Sequence, residues 1–405
     1  MGFARKYLFD PSETNVCHCI SRCVRRLTLL AVEERRTTLM NRLRRLTQFF
    51  AVDVLEAAVL HNQLHLVTST SPEMARNWSD VEVATRFRTL CPDYALRKEL
   101  KIPREDPVSD EEIAAALANP AVITKWREEL ASISFFHKLL KQTAAWAFNR
   151  QDKVTGHFWE GRFKSIVALD DEAIVAHMLY VALNPVRAEL AASLDDYRVA
   201  TIAKRVEELK RRIADGEFAC EAAAARERLR SVRLVPAMPC DPGAELRAKP
   251  TLKGGAPNPW FSGRVPSIIE GSCLAAFLHD TDAQGRETAI GKAGCIPDST
   301  PRVLAMLDAE LAASVAEETR TSTLMQTARA MVSQIDDLIR DESFTIWGNF
   351  SGSAESIAKH ARKMKKRFAL AIAGWPGGRG RRIRAAPEDD DGAAGAVAAA
   401  PAALT

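Results

Sequence analysis

The chain has 405 residues, of which 47% are hydrophobic, and a formal net charge of +4. This length and apolar fraction allow a substantial core and favour two domains with flexible segments, while so small a charge does not by itself indicate a nucleic-acid partner. No apolar run approaches the roughly 20 residues of a membrane helix, and residues 1–6 lack a signal-peptide apolar core. We therefore expect a cytoplasmic protein with no membrane partner and with reduced cysteines.

The first seventy residues show strand and helix patterns in turn. Residues 16–24 are predicted to be a strand, and residues 33–49 a helix with apolar side chains at helical spacing. Residues 51–59 and 64–68 are predicted to be paired strands that turn near His61 and Asn62. This order of one strand, one helix and two paired strands is the beginning of a ferredoxin-like α+β fold, so we predict that fold with an antiparallel sheet.

The middle of the chain is predicted to be mostly helical. Residues 72–150 have helical patterns interrupted by a loop at Pro103 and Pro107. A helix follows at residues 170–183, with Asp170 or Asp171 as its N-cap. Pro185 is expected to end this helix, because proline disfavours α geometry at the preceding residue. Another helix is predicted at about residues 199–213.

Composition changes after residue 231. Residues 232–266 are rich in proline and are predicted to be a linker. Residues 300–341 and 353–373 have helical patterns, so we expect a small, mainly α-helical C-terminal region over residues 267–375. Residues 376–405 combine glycine and arginine, an acidic run and an alanine-rich end, and are predicted to be a disordered tail.

Two short segments carry the strongest chemical pattern. In a strand, Gln63 and His65 point to one face, and the leucines beside them point to the other face. On a helix, Tyr180 and Asn184 lie one turn apart on a stripe that also contains His177. A strand with metal-binding groups beside a helix with a phenol and an amide is what a tyrosine-nucleophile DNA nickase needs.

Each of these residues also has a plainer interpretation. Tyr180 fits a half-buried core tyrosine with a satisfied hydroxyl, and His65 fits a core histidine. Asn184, which precedes Pro185, fits a residue that ends a helix, a role compatible with metal ligation. The pattern alone does not choose between these interpretations.

Two clusters of basic residues fit phosphate contacts, which add salt-sensitive affinity without reading base sequence, but they equally fit solvated helix faces. The first comprises Arg22, Arg25, Arg26, Arg35, Arg36, Arg42, Arg44 and Arg45, and the second comprises Lys359, Arg362, Lys363, Lys365, Lys366 and Arg367.

Four ordered segments carry a family resemblance. They are HCISR at residues 18–22, NWSD at 77–80, GHFWEGRFKS at 156–165 and, as the strongest match, YVALNPVRA at 180–188. Together they resemble the REP-associated tyrosine transposases, a branch of the HUH single-stranded-DNA endonucleases and transposases. The resemblance covers about residues 1–205 well and 260–372 faintly. It implies an HUH endonuclease fold over residues 1–215, with a helical insertion at about 72–150.

The resemblance also implies a reaction and a metal. Tyr180 would attack a phosphodiester of single-stranded DNA and keep the 5′ phosphate, while His65, Gln63 and Asn184 would bind Mg²⁺ or Mn²⁺. His177 receives no ligand role. The family pattern has two histidines separated by one bulky apolar residue, and this chain has Gln63 at the first position. A glutamine oxygen is a hard ligand that suits Mg²⁺, although it binds imidazole-preferring metals more weakly.

Three basic residues within the resembling segments are candidates for DNA phosphate contacts: Arg22, Arg162 and Lys164. Phe158 or Trp159 would stack on an unpaired base, or else these aromatic rings form a plug under the sheet.

Three functional classes remain open at this point. The first is a mobile-element transposase or nickase that acts on single-stranded or hairpin DNA and is associated with the nucleoid, as a monomer or a homodimer. The second is a catalytically impaired hairpin-DNA-binding relative that represses or marks its sites. The third is a decayed insertion remnant. Gln63 favours the second class, and the intact Tyr180 and Asn184 favour the first.

Overall fold

The computed structural model describes residues 10–240, 273–288, 292–340, 349–363, 368–373 and 381–384. The protein is a mixed α+β structure in which helices pack on one sheet, which confirms the predicted α+β class. No helix in these ranges is both long and apolar enough to cross a bilayer.

The first four strands pair with one another in antiparallel orientation. They are β1 (Val16–Arg22), β2 (Val52–Val59), β3 (Gln63–Thr70) and β4 (Lys164–Ala168), and they lie in the order β2-β3-β1-β4. Three of them follow the predicted strands closely. The central strands β1 and β3 are buried along almost their whole length, which explains their run of small and apolar residues.

Three later strands extend this sheet to seven strands: β5 (Asn349–Gly352), β6 (Phe368–Ala373) and β7 (Arg381–Arg384). Because β5 pairs in parallel with both β4 and β6, the sheet is mixed and the prediction of an antiparallel sheet was wrong beyond β4. Parallel strands need a long crossover connection, and the helices between β4 and β5 provide one.

Helices fill most of the remaining described chain and confirm the predicted helical region after β3. In chain order they are α1 (Glu33–Thr47), α2 (Pro72–Asn77), α3 (Asp80–Leu90), α4 (Tyr94–Glu99), α5 (Asp110–Leu117), α6 (Pro120–Leu130), α7 (Ile133–Asp152), α8 (Asp171–Arg187), α9 (Thr201–Ala214), α10 (Ala222–Ser231), α11 (Leu274–Arg286), α12 (Ala309–Thr321), α13 (Thr323–Arg340) and α14 (Ala354–Lys363).

Helix α8 is the central helix of the molecule. Residues 173–186 are all buried, because one side of the helix packs on β2, β3 and β4 while α11 and α13 cover much of the rest. A helix that is apolar on all sides needs such an environment. Its N-cap is Asp170, whose Oδ1 accepts a hydrogen bond of 3.1 Å from the Ala173 amide, as predicted.

Two predicted boundaries were wrong. Pro185 lies inside α8, which continues to Arg187, so proline here removes one backbone donor without ending the helix. The predicted helix at 353–373 stops at Lys363, and residues 368–373 form strand β6.

The predicted linker and tail are only partly described. Residues 232–240 lie along β2, where the amide of Met238 donates to Val54 O at 2.9 Å, so this part is packed. Residues 241–272 lie outside the described residues. Within the predicted tail, residues 381–384 form β7, and the other residues lie outside the described ranges.

Candidate active site

A cavity of about 310 Å³ lies where the start of β3 meets the C-terminal half of α8. Its lining includes all four residues proposed for catalysis and metal binding: Gln63, His65, Tyr180 and Asn184. These residues are far apart in the chain, so the fold brings them together.

Strand register explains how the β3 residues reach the cavity. Gln63 is opposite Arg22 and His65 is opposite Ile20, so these side chains share one sheet face. Helix α8 covers this face, and its residues Tyr180 and Asn184 lie one turn apart. The ring centroids of Tyr180 and His65 are 6.1 Å apart. The predicted alternation of β3 therefore positions the site.

The distance between Gln63 and His65 is compatible with a shared metal ion. His65 Nε2 and Gln63 Oε1 are 3.1 Å apart. Two ligand atoms at right angles around Mg²⁺, each at about 2.0–2.1 Å, would be about 2.9 Å apart. The same distance fits a hydrogen bond from a neutral imidazole to the amide oxygen.

Asn184 offers the third polar group. Its side chain is buried at 5% exposure, and Nδ2 has no hydrogen-bond partner among the described residues. A buried N–H donor without a partner is costly, which fits a group that donates to an acceptor atom of a bound ligand, whereas a metal ion would bind the amide Oδ1. No cluster of three or more His, Cys, Asp or Glu suited to a metal occurs in the described ranges, so this candidate depends on amide ligands. One imidazole and two amides carry no negative charge, and an anionic substrate would have to supply it.

A row of buried histidines continues from His65 away from the cavity. His18 Nε2 lies 3.1 Å from His65 Nδ1, and His18 Nδ1 lies 3.1 Å from His177 Nδ1. His177 Nε2 in turn lies 2.8 Å from the Ser351 hydroxyl on β5. Sequence reasoning assigned no role to His18 or His177. The position of His177 on the stripe of Tyr180 was the available signal.

Burial keeps two of these histidines neutral. It lowers the pKa of His177 to about 3. Burial, and then the neighbouring His177 and His65, hold the pKa of His18 well below its usual value. Histidines of this kind act as neutral donors and acceptors near physiological pH.

The cavity has a basic lining. Arg187 and Lys292 contribute to it, and among the described residues that line it none is acidic. The Lys292 Nζ is 6.0 Å from the centroid of the Tyr180 ring, whereas Arg187 donates to the Gln284 carbonyl at 2.6 Å. Neither cation was assigned a role from the sequence. Arg187 lies within the segment at 180–188, where only Tyr180 and Asn184 received roles, and Lys292 comes from a segment after α11 without a recognisable motif. This charge suits an anionic ligand.

The proposed phosphate-binding residues are placed differently. Arg22 and Lys164 are half-buried and lie on the same sheet face as Gln63, since Lys164 is opposite Ile20. Arg162 is exposed and precedes β4. None of the three lines the cavity itself. They therefore remain candidates for DNA contacts outside it.

Phe158 and Trp159 form an aromatic plug. Their side chains are only 2% and 7% exposed, and the Trp159 Nε1 donates to the Lys141 carbonyl at 3.0 Å. Neither ring is available to stack on a base, so the packing interpretation holds.

The first basic cluster contains structural arginines. Arg35 forms an ion pair with Asp152, and Arg36 donates to the Leu30 carbonyl at 2.8 Å. These two residues therefore stabilise α1 and its preceding loop. In the second cluster, Lys363 pairs with Glu13, and residues 365–367 lie outside the described ranges.

Comparison with known proteins adds no relative: no family model, curated protein or solved structure matches the chain. The functional conclusion therefore depends on the residues of the site and on the motifs that led to them.

Proposed function

We propose that the protein is a transposase-like nickase and strand transferase that acts on single-stranded hairpin DNA through a 5′-phosphotyrosine intermediate. The observation that carries this proposal is the convergence of Tyr180, Asn184, His65 and Gln63 in one cavity. The resemblance to the REP-associated tyrosine transposases implied these residues together, from two segments that are distant in the chain.

The order of the first four strands supports the same proposal. A central β1 between β3 and β4, with β2 outside β3, is the arrangement of a ferredoxin-like fold built from strand, helix, two strands, helix and strand. The helices α2 to α7 occupy the connection between β3 and β4, where the helical insertion was predicted. This arrangement is the one expected for an HUH endonuclease fold.

In the proposed reaction, the Tyr180 oxygen attacks the scissile phosphorus. A new bond from phosphorus to the tyrosine oxygen forms, and the bond to the 3′ oxygen breaks. The phenol loses one proton and the released 3′ hydroxyl gains one. Because a phosphotyrosine bond replaces the broken phosphodiester bond, a second strand end can be joined without ATP. Mg²⁺ or Mn²⁺ held by His65, Gln63 and Asn184 would polarise the phosphate.

The charge of the cavity supports a phosphate-containing substrate. Lys292 approaches the ring of Tyr180, and the part of the cavity lining that the structure describes contains no carboxylate that would repel DNA. In the proposed reaction, Lys292 would contact the phosphate that Tyr180 attacks.

One observation favours a second function, hairpin binding without cleavage. His65 Nε2 and Gln63 Oε1 lie at hydrogen-bonding distance, so the pair can satisfy itself without a metal. A protein of this kind would retain the basic contacts and would mark or repress its sites.

The test is incubation of the purified full-length protein with labelled single-stranded hairpin DNA from the ends of its own gene, with Mg²⁺ or Mn²⁺. The proposed function predicts a covalent adduct on a denaturing gel that is lost in Tyr180→Phe. Tyr94→Phe is the matched control, because Tyr94 is an exposed tyrosine on α4, and the adduct should persist there. Binding without an adduct would support the second function. An adduct that survives in Tyr180→Phe, or weak binding without any adduct, would contradict the proposal.

A further inference from the structure

The row of histidines extends from the cavity to the C-terminal part of the sheet. His65 is 2% exposed, and His18 and His177 are 0% exposed. Ser351, which ends the row, is also fully buried and belongs to β5. Four consecutive contacts of 2.8–3.1 Å thus connect Gln63 at the cavity with Ser351.

We propose that His18 and His177 are positioning residues that set the tautomer of His65, and that this row reverses its hydrogen-bond direction when a divalent cation binds. The proposal depends on the proposed function, since it concerns the metal site assigned to His65, Gln63 and Asn184.

The direction of one hydrogen bond in the row fixes all the others. A neutral imidazole has one N–H donor and one acceptor nitrogen. The Gln63 Oε1 can only accept, so His65 Nε2 donates to it and His65 Nδ1 accepts from His18 Nε2. His18 Nδ1 then accepts from His177 Nδ1, and His177 Nε2 accepts from the Ser351 hydroxyl.

Cation binding requires the opposite direction. A metal takes the lone pair of His65 Nε2, so the ring hydrogen must lie on Nδ1 and donate to His18 Nε2. His18 then donates through Nδ1 to His177 Nδ1, and His177 donates through Nε2 to Ser351 Oγ. The Ser351 hydroxyl can accept as well as donate. Each histidine keeps one ring hydrogen in both states, so the reversal leaves every ring neutral.

The surroundings of the row favour this neutral exchange. His18 and His177 are fully buried, so a charged ring at either position is disfavoured. Partners that orient a metal-binding histidine typically change metal affinity by about 10–100-fold when they are lost. Because the Ser351 hydroxyl ends the row, it would couple strand β5 to the proposed metal site.

The direct test reads the tautomers by NMR. The full-length protein is labelled with ¹⁵N in its histidine rings, and ring nitrogens are correlated with ring protons before and after addition of Mg²⁺. The proposal predicts that His65 and His18 change from Nε2–H to Nδ1–H, while His177 changes from Nδ1–H to Nε2–H. His279, a half-buried histidine on α11, is the control and should not change.

Two outcomes separate this proposal from the proposed function. Line broadening of the His65 ring signals by Mn²⁺ tests the metal site itself, and its absence would overturn both. Broadening at His65 with unchanged tautomers of His18 and His177 would support the metal site but contradict the proposed reversal of the histidine row.

A variant gives a second measurement. Ser351→Ala removes the acceptor that the reversed row needs, so we expect about 10–100-fold weaker Mn²⁺ binding in an EPR titration. Ser353→Ala is the matched control, because its hydroxyl accepts from the Ser356 amide at the start of α14 and does not contact the row. Equal affinity in the two variants would contradict a positioning role for the row.

Discussion

The Nε2 atom of His65 lies 3.1 Å from the Oε1 atom of Gln63, at the start of strand β3 next to the cavity. In the proposed nickase, this pair would stand where the resembling family has two histidines. An imidazole and an amide can share a metal ion or form a hydrogen bond to each other, and under the proposed function this choice would decide whether the site cleaves DNA or only binds it.

Gln63→His should therefore strengthen the metal site. A second imidazole suits Mn²⁺ better than an amide oxygen does, so we expect roughly tenfold tighter Mn²⁺ binding and a higher yield of the DNA adduct. Binding is measured by EPR, and the adduct on a denaturing gel. Gln63→Leu removes the amide oxygen and is the negative control, in which both Mn²⁺ binding and the DNA adduct should be lost. Similar metal affinity in all three proteins would show that residue 63 does not bind the ion.

Lys292→Ala should weaken DNA binding and reduce its salt dependence. Loss of one phosphate contact lowers the slope of log affinity against log salt by about 0.7–0.9. Fluorescence anisotropy with a labelled hairpin at several salt concentrations measures this slope. Lys98→Ala, at an exposed lysine on α4 outside the cavity, should leave the slope unchanged. An equal loss in both variants would indicate a general charge effect and no specific contact.

The β3 half of the site could be predicted from local pattern, because the two-residue repeat of a strand decides which side chains face α8. Helix geometry predicted only that Tyr180 and Asn184 share one stripe of a helix, and their roles came from the family resemblance. The contacts of Ser351 and Lys292 could not be predicted, because they depend on how residues after 272 pack against the first four strands and α8. The parallel pairing of β4 with β5 has no local signature either. Pro185 misled the prediction because packing around α8 stabilises the helix as far as Arg187, four residues beyond its predicted end.

The buried His177 should make stability depend on pH. Its pKa is about 3 in the folded state and near 6.5 in the unfolded state, so the unfolded state binds more protons between these values. The free energy of unfolding should fall as pH drops through 6.5 toward 3. Between pH 7 and pH 5, His177 accounts for about 2 kcal/mol of this loss.

Urea denaturation at several pH values measures how the free energy of unfolding depends on pH. His177→Gln should show a smaller loss of stability between pH 7 and pH 5 than the wild-type protein. The exposed His157 serves for comparison, and His157→Gln should keep the wild-type pH dependence. A wild-type pH dependence in His177→Gln would mean that the acid sensitivity arises elsewhere.

The ion pair between Glu56 and Arg205 should stabilise the edge of the sheet beside β2. Glu56 is fully buried, and Arg205 Nε donates to its carboxylate at 2.8 Å. The same guanidinium donates to the Val235 carbonyl at 2.8 Å, so it joins β2, α9 and residues 232–240. Burial raises the pKa of Glu56, and Arg205 opposes that rise.

Arg205→Met leaves the Glu56 carboxylate buried without its charged partner, with the Thr201 hydroxyl still donating to it, so we expect the free energy of unfolding to fall by about 3–5 kcal/mol. Adding Glu56→Gln to this variant should restore part of the loss, because a neutral amide is less costly to bury than an unpaired carboxylate. Lys204→Met provides the comparison, since Lys204 pairs with the exposed Glu207 at 4.0 Å, and it should change stability by less than about 1 kcal/mol. Urea denaturation measures all three variants. If the double variant were no more stable than Arg205→Met alone, the buried charge of Glu56 could not be the cause, and the lost carbonyl contacts of Arg205 would be.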